Sequence, residues 1–385
     1  MAAQRLDVIT PFHVMALLAR ARQLEAEGRS IVHMEIGEPD FVSPDSIIEA
    51  GIKALQDGRT HYTPSLGLPE LRTAIAEHYQ ARFGVHVDPG RIIVTPGASG
   101  ALQLIVAALV DPGKEMLLTD PGYPCNRNFV YLYNGVPVTV PVDAADDYQL
   151  NAGLVERYWT DNTVAAMLAS PSNPTGTVLH RDGLAALLDA VRKRSGTLIV
   201  DEIYQNLCYQ YQPWTALELG DDIFVLNSFS KYFGMTGWRL GWLVAPEAYV
   251  ESLDNLAQNI FLAAPTPAQY AALAAFNDDT LAILEQRRLE FQARRDYLLP
   301  ALQSLGFEIA RVPEGAFYLY ADISRFSSDS FAFTNALLEE AGVAITPGID
   351  FGEHRAAQHV RFAYTTSLEQ LQIGVERIQG FINGL

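Results

Sequence analysis

The stretch RIIVTPGASGALQLIVAALVDPGKEMLLTD (residues 91–120) decides the fold. RIIVTPG is a short β-branched run broken by proline and glycine, which predicts a strand ending in a turn. GALQLIVAALVDPG is apolar nearly throughout and predicts a buried helix stopped by Pro112 and Gly113. EMLLTDPGYP reads as a second strand and turn. The rhythm continues outward. LRTAIAEHYQARFG predicts a helix with apolar residues at 71, 75, 79 and 83. TVAAMLASPSNPTG predicts another strand and turn, and RDGLAALLDAVRKRSG an amphipathic helix whose cationic end and glycine suit a C-terminus. TLIVDE and IFVLNSFSK are short runs ending in polar residues. Strands alternating with helices imply an α/β fold with a mainly parallel sheet covered on both faces. Its polar residues lie at the C-terminal ends of the strands, where open α/β sheets bind ligands.

After about residue 280 the pattern changes. LAILEQRRLEFQARRDYLLPALQSLG predicts one long helix bent at Pro300. Shorter elements follow in GAFYLYAD, SFAFTNALLEEAG, VAITPG and HVRFAYTT, with Thr366-Ser-Leu-Glu369 as a capping box for the last helix. This predicts a smaller α+β domain. The chain contains no internal repeat and no low-complexity tract.

The 385 residues suffice for a large core, and 49 % hydrophobic with 19 % charged residues is an ordinary globular balance. Acidic residues outnumber basic ones by 45 to 27, a net charge of −18, which opposes a general grip on nucleic acid or anionic membrane. Cys125 and Cys208 form neither a disulfide scaffold nor a metal-ligand spacing. A cytoplasmic setting is expected, with no targeting segment, membrane or nucleic-acid partner, or bound metal.

The chemistry centres on SFSKYFGMTGWRLGW (228–242), which holds one of four lysines. Lys53, Lys114 and Lys193 sit in exposed helical or turn patterns. Lys231 follows a buried strand among aromatics, where desolvation would free a nucleophilic amine; a surface lysine with a buried stem is the other reading. Asp201 ends the apolar run LIVD with Tyr204 three residues on, and reads either as a helix cap or as the partner of a cationic ring nitrogen with the tyrosine at the ring edge. TPGASGALQ (95–103) is a tight strand–helix turn or a phosphate cradle, to which Arg239, Ser228 and Ser230 could contribute. Asn173 in SPSNPTG belongs to a rigid loop or donates to a ring, and Arg361 in HVRFAY makes a cross-strand ion pair or clamps a carboxylate. Taken together these are the parts that hold pyridoxal 5′-phosphate and an amino acid.

The chain resembles the class I/II, fold-type I pyridoxal-phosphate-dependent aminotransferases. The resemblance runs in order through GEPDF (37–41), HYTPSLGLPELR (61–72), TPGASGAL (95–102), DPGYP (120–124), SPSNPTG (170–176), DEIY (201–204), SFSKYFGMTGWRLG (228–241), GAFY (315–318) and RFAY (361–364). It implies that Lys231 bonds the cofactor aldehyde and later acts as general base. Asp201 is then the partner of the pyridine nitrogen, and Tyr204 and Asn173 bond the ring oxygen. Tyr123 stacks on the ring. Gly97, Ala98, Ser99, Ser228, Ser230 and Arg239 form the phosphate cup, which Tyr62 reaches from the neighbouring subunit of a homodimer. Arg361, helped by the Gly37 backbone, binds the substrate carboxylate. The implied domains are a large one (47–285), a small one made from 11–46 with 286–385, and an N-terminal arm (1–10), with PFHVMALLARA packing near the site.

The implied reaction is ping-pong transfer of an amino group from an L-amino acid to a 2-oxo acid such as 2-oxoglutarate or pyruvate. A carbon–sulfur β-lyase of the same fold is the alternative. The cofactor-binding module of a transcriptional regulator needs a DNA-binding domain ahead of GEPDF, where about thirty residues stand. A nicotinamide dehydrogenase lacks its glycine fingerprint. One subgroup of aspartate-specific members places a lysine where this chain has Ser99, so a monocarboxylic donor is expected.

Overall fold

A computed structural model describes residues 3–9, 11–210 and 213–384. Residues 1, 2 and 10 of the expected N-terminal arm lie outside the described residues. The strands in chain order are β1 (Val32–His33), β2 (Ile92–Thr95), β3 (Glu115–Asp120), β4 (Val136–Pro141), β5 (Thr163–Ala169) and β6 (Thr197–Asp201). They continue with β7 (Phe224–Ser228), β8 (Gly241–Val244), β9 (Tyr318–Asp322), β10 (Val343–Ala344), β11 (Thr346–Pro347) and β12 (His359–Ala363). Seven of them form one sheet in the order β2-β8-β7-β6-β5-β3-β4.

Alternation along each strand buries both faces of this sheet. Ile93, Met116, Leu118, Met167, Ile199, Phe224, Leu226 and Leu243 point to one side, against the helices Gly97–Leu109 and Val250–Ile260. Ile92, Val94, Leu117, Leu168, Val200, Val225 and Trp242 point to the other, against Pro69–Phe83, Arg181–Lys193 and Thr266–Leu273. Two strands escaped the sequence reading. Val136–Pro141 contains two prolines and is the edge strand, where a missing N–H costs least. β8 has only four residues and is antiparallel to both its neighbours.

The reversal of β8 has a spatial consequence. Ser228 and Thr95, the C-terminal residues of their strands, both pair with Gly241, the first residue of β8. The chain entering β8, with Arg239 and Leu240, therefore arrives at the edge where the other strands leave. A Cβ at Gly241 would lie 2.7 Å from the Gly97 carbonyl carbon, 2.8 Å from the Ala98 nitrogen and 2.9 Å from the Asn227 oxygen, all backbone atoms that cannot swing aside.

The remaining elements pack at that same edge. β11-β12-β9 is an antiparallel sheet, and β1 pairs in parallel with β10, tying the N-terminal segment to the C-terminal part. The long helix Asp278–Ser304 carries Pro300 inside it, as expected. The last helix, Leu368–Ile382, is capped one residue later than expected: Ser367 Oγ accepts the Gln370 N–H at 3.2 Å, so the pair is Ser367 and Gln370 in place of Thr366 and Glu369. Among the described residues no helix is long and apolar enough to cross a membrane.

Just past β1 the Glu35 carboxylate is fully buried, with Oε1 2.7 Å from His33 Nδ1. His33 Nε2 lies 3.3 Å from Glu25 on the helix His13–Ala26. The hydrogen bond to Glu35 outweighs partial burial and pushes the imidazole up to about 9. A value raised above the ordinary 6.5 means stabilisation that is complete below that pH and disappears as pH rises through about 9.

Two outcomes are expected in reversible denaturation. Stability declines between pH 6.5 and about 8, where buried Asp201 and Glu202 also release protons, and His33→Leu removes the His33 share of that slope while costing about 1.5–3 kcal/mol at neutral pH. Gly241→Ala costs about 1–3 kcal/mol through overpacking, read as a lower urea midpoint with an unchanged m-value.

Candidate active site

The C-terminal ends of β5, β6 and β7 deliver polar side chains to one cavity of about 500 Å³. At the end of β6 the buried Asp201 carboxylate accepts the Ile203 N–H at 3.0 Å. Burial pushes it up to about 7, opposed by that N–H and by Lys231. The next helical turn begins at Gln205 with Tyr204 as its cap residue, so Asp201 caps no helix. Tyr204 is buried, its hydroxyl 2.8 Å from that of Tyr318.

Beyond β7, Lys231 projects into the cavity and donates to the Gly37 carbonyl at 2.6 Å. Its amine lies 5.9 Å from the centroids of both the Tyr204 and Phe317 rings. Burial pushes it down to about 8; Arg361 and Arg239 act in the same direction, while Glu38 and Asp201 oppose. The amine is thus partly deprotonated near neutral pH, the state a nucleophile or base requires.

Hydrogen-bond donors suited to an anion also line the cavity. The helix Gly97–Leu109 starts at the glycine turn, with Ala98 and Ser99 of its first turn lining the cavity. The N–H groups of that turn have no partner within the helix and sit at its positive end. Ser228 Oγ and Ser230 Oγ are 2.9 Å apart and both line the cavity. Arg239 donates to the Thr236 carbonyl at 2.9 Å, and its guanidinium lies over Gly97, 2.6 Å from where a side chain there would begin.

Arg361 stands on β12. It donates to the Glu35 carbonyl at 2.6 Å, the Thr346 hydroxyl at 3.2 Å and the Asn173 side-chain oxygen at 2.8 Å. Tyr318 and Phe351 cover its faces at 4.3 and 4.8 Å. Among the described residues it makes no ion pair, and its buried Nε–H has no partner. An arginine held by neutral acceptors keeps its charge available for a carboxylate ligand.

Gly37, Ala98, Ser99, Tyr123, Asn173, Asp201, Tyr204, Ser228, Ser230, Lys231, Arg239 and Arg361 all line the cavity. Gly97 lies behind it under Arg239. Tyr62 does not line it and is 82 % exposed. Sequence reasoning missed Tyr318, Thr346 and Phe351, which frame Arg361. It also missed Asp350, whose carboxylate accepts the N–H groups of His13 and Val14 at 2.8 Å each. That contact brings Phe12, Val14 and Met15 to the cavity wall, as expected for PFHVMALLARA. Tyr318 stood in the GAFY motif, but no spacing relates residue 318 to 204 or 361; the β9–β12 pairing sets it near Arg361, and the packing of the two sheets brings it to Tyr204.

The donor set fits pyridoxal phosphate: N–H groups, hydroxyls and a guanidinium suited to an anion, a buried carboxyl that shares a proton near neutrality, and an amine in the same cavity as Arg361. The chain matches the family described as aminotransferase class I and II over residues 29–378. It is 37 % identical to a (5-formylfuran-3-yl)methyl phosphate transaminase of Methanocaldococcus jannaschii, with all of both chains covered. It is 35 % identical to a valine–pyruvate aminotransferase of Mycobacterium tuberculosis over 97 % of each chain. The structure of an aspartate aminotransferase of Thermus thermophilus with maleate is similar at a TM-score of 0.93, with 34 % identity over 99 % of each chain. A glycine-led helix start and a desolvated lysine at the edge of the large sheet, facing an arginine from the small one, accompany these full-length matches, and the chain is a member of the class I and II aminotransferases.

Proposed function

We propose that this aminotransferase holds pyridoxal 5′-phosphate in the cavity and moves the amino group of a monocarboxylic L-amino acid to a 2-oxo acid in two half-reactions. The observation that carries this reading is the Lys231 amine, desolvated and sharing its cavity with the donors Ser228, Ser230 and Arg239 and with the uncommitted guanidinium of Arg361. Bound there, the cofactor supplies a carbonyl carbon that bonds amines and a cationic ring that stabilises a carbanion.

The protein's own groups do the rest. The Ala98–Ser99 turn, both serines and Arg239 bind the phosphate. Asp201 would keep a proton on the ring nitrogen, Tyr204 and Asn173 would hydrogen-bond the ring oxygen, and the Tyr123 ring would stack. Arg361 fixes the substrate carboxylate, which aims the Cα–H at Lys231. With the cofactor bound, the Lys231 amine would serve as the base, taking that proton with Nζ and holding it for return. Two half-reactions of this kind, one releasing an oxo acid and one consuming a second, predict ping-pong kinetics. The exposure of Tyr62, an aromatic with no place in its own cavity, supports a homodimer in which it reaches the partner's phosphate site. Grouping 11–46 with 286–385 as a small domain against 47–285 draws support from the β1–β10 pairing.

The donor class follows from charge. Lys231, Arg239 and Arg361 are the only cations lining the cavity among the described residues, and each has a task in this scheme. A second carboxylate would meet Phe12, Val14, Met15 and Phe351, or the acids Glu38 and Asp350. Burying it unpaired is costly. The names of the relatives differ on this point, valine in one and aspartate in another.

The test is an absorbance titration of the cofactor-loaded protein with single amino acids and no oxo acid. Alanine, branched-chain or aromatic amino acids are expected to convert pyridoxal-type to pyridoxamine-type absorption once, and a 2-oxo acid to restore it. Aspartate turnover above that of alanine would overturn the donor class. Continuous pyruvate and ammonia release from a cysteine-type substrate would identify the β-lyase instead. Lys231→Ala is expected to bind cofactor yet lose at least about a hundredfold in turnover; ordinary turnover in that variant would remove Lys231 from the mechanism.

A further inference from the structure

The Tyr318 hydroxyl has an unusually constrained place. It sits 2.8 Å from the Tyr204 hydroxyl, and both side chains are buried. It also rests directly on Gly37: a Cβ there would be 1.9 Å from the Tyr318 oxygen, so only glycine leaves it room. The Gly37 carbonyl in turn accepts from Lys231 at 2.6 Å, and the Arg361 guanidinium covers the Tyr318 ring at 4.3 Å. The ring stands edge-on to that of Tyr204, with centroids 5.7 Å apart.

We infer that Tyr318 is a positioning residue that acts on the bound cofactor through Tyr204. The inference rests on the cofactor reading above. A tyrosine hydroxyl has one proton to donate and lone pairs to accept with. If Tyr204 spends its proton on the ring oxygen, the hydroxyl contact at 2.8 Å requires Tyr318 to donate to Tyr204. The Arg361 charge over the Tyr318 ring strengthens that donation. A chain of two hydroxyls polarises the second bond more than one hydroxyl alone. Removing Tyr318 Oη weakens Tyr204 as a donor and leaves more negative charge on the ring oxygen. The nitrogen linking Lys231 to the cofactor then keeps its proton to higher pH.

The experiment is a spectrophotometric pH titration of the cofactor-loaded protein without substrate, for wild type, Tyr318→Phe, Tyr204→Phe and the double variant. Tyr318→Phe is expected to raise the midpoint of the visible-band transition by about 0.5–1 pH unit, the worth of one buried hydrogen bond. Tyr204→Phe raises it more, and the double variant matches Tyr204→Phe. An unchanged midpoint in Tyr318→Phe beside a shifted one in Tyr204→Phe overturns the inference and leaves the cofactor reading intact. Additive shifts in the double variant overturn it as well, because they show that Tyr318 acts independently of Tyr204. Absence of any pH-dependent visible band in the wild type overturns the cofactor reading itself, and this inference with it.

Discussion

The constraint on which the site depends is the desolvation of one amine. An ammonium is strongly hydrated, and taking it from water is costly unless the surroundings replace that hydration or let it lose its proton. Around Lys231 the protein does both in part. The Gly37 carbonyl accepts one of its hydrogens, and Asp201 and Glu38 supply opposing charge, while Arg361 and Arg239 and burial itself push the other way. The result is an amine pushed down to about 8. Every element that reaches it has to stop where its backbone or polar end is within range, and this accounts for the crowding of strand ends, glycines and loops on one edge of the sheet.

Two buried arginines show how the same side chain is set for different work. Arg294, on the long helix, is bidentate to Asp40 at 2.8 and 3.0 Å and bonded to Glu290 at 2.5 Å. Its charge is neutralised, and it serves as an anchor that ties the segment containing Gly37 to that helix. Arg361 is held by a carbonyl, a hydroxyl and an amide oxygen; like Arg294 it has a buried Nε–H without a partner, but unlike Arg294 it faces no carboxylate among the described residues. Neutral acceptors orient a guanidinium without satisfying its charge, so the geometry is fixed in advance while the electrostatic attraction remains for a ligand. The difference between anchor and binding group lies in the acceptors.

The sequence made the sheet legible where strands were β-branched and bounded by proline or glycine, as in 92–95, 163–169, 197–201 and 224–228. It hid Val136–Pro141, because prolines argue against a strand unless the strand is known to be an edge, and it hid the antiparallel direction of Gly241–Val244, because direction is a property of the partner. Asp201 and Lys231 were visible because each is a costly group at or just past the end of an apolar strand, while Tyr204 and Arg361 stood out through the DEIY and RFAY motifs. Tyr318 and Thr346 were not, since their part in the site comes from pairing across β9, β11 and β12. The shifted cap at Ser367 has a simpler cause: Thr366-Ser-Leu-Glu369 and Ser367-Leu-Glu-Gln370 both satisfy the capping pattern, and the backbone had to choose.

Charge distribution carries the argument to specificity. The chain has a net charge of −18, and its cavity brings three cations, Lys231, Arg239 and Arg361, together with four carboxylates, Glu35, Glu38, Asp201 and Asp350. An acidic exterior does not favour the approach of anionic ligands, so recognition of a phosphate and of an amino-acid carboxylate has to come from short-range contacts inside the cavity. Those contacts are finite. Arg239 lies over the helix start at Gly97, Arg361 is held by Glu35, Thr346 and Asn173, and both charges act on the Lys231 amine. Beyond Arg361 the wall contributed by the first turn of the helix His13–Ala26 is apolar, and it is held there by the Asp350 carboxylate bonded to the N–H groups of His13 and Val14. The residue that docks this wall is itself a carboxylate lining the cavity, so under the proposed reading the contact that completes the cavity also works against a second carboxylate.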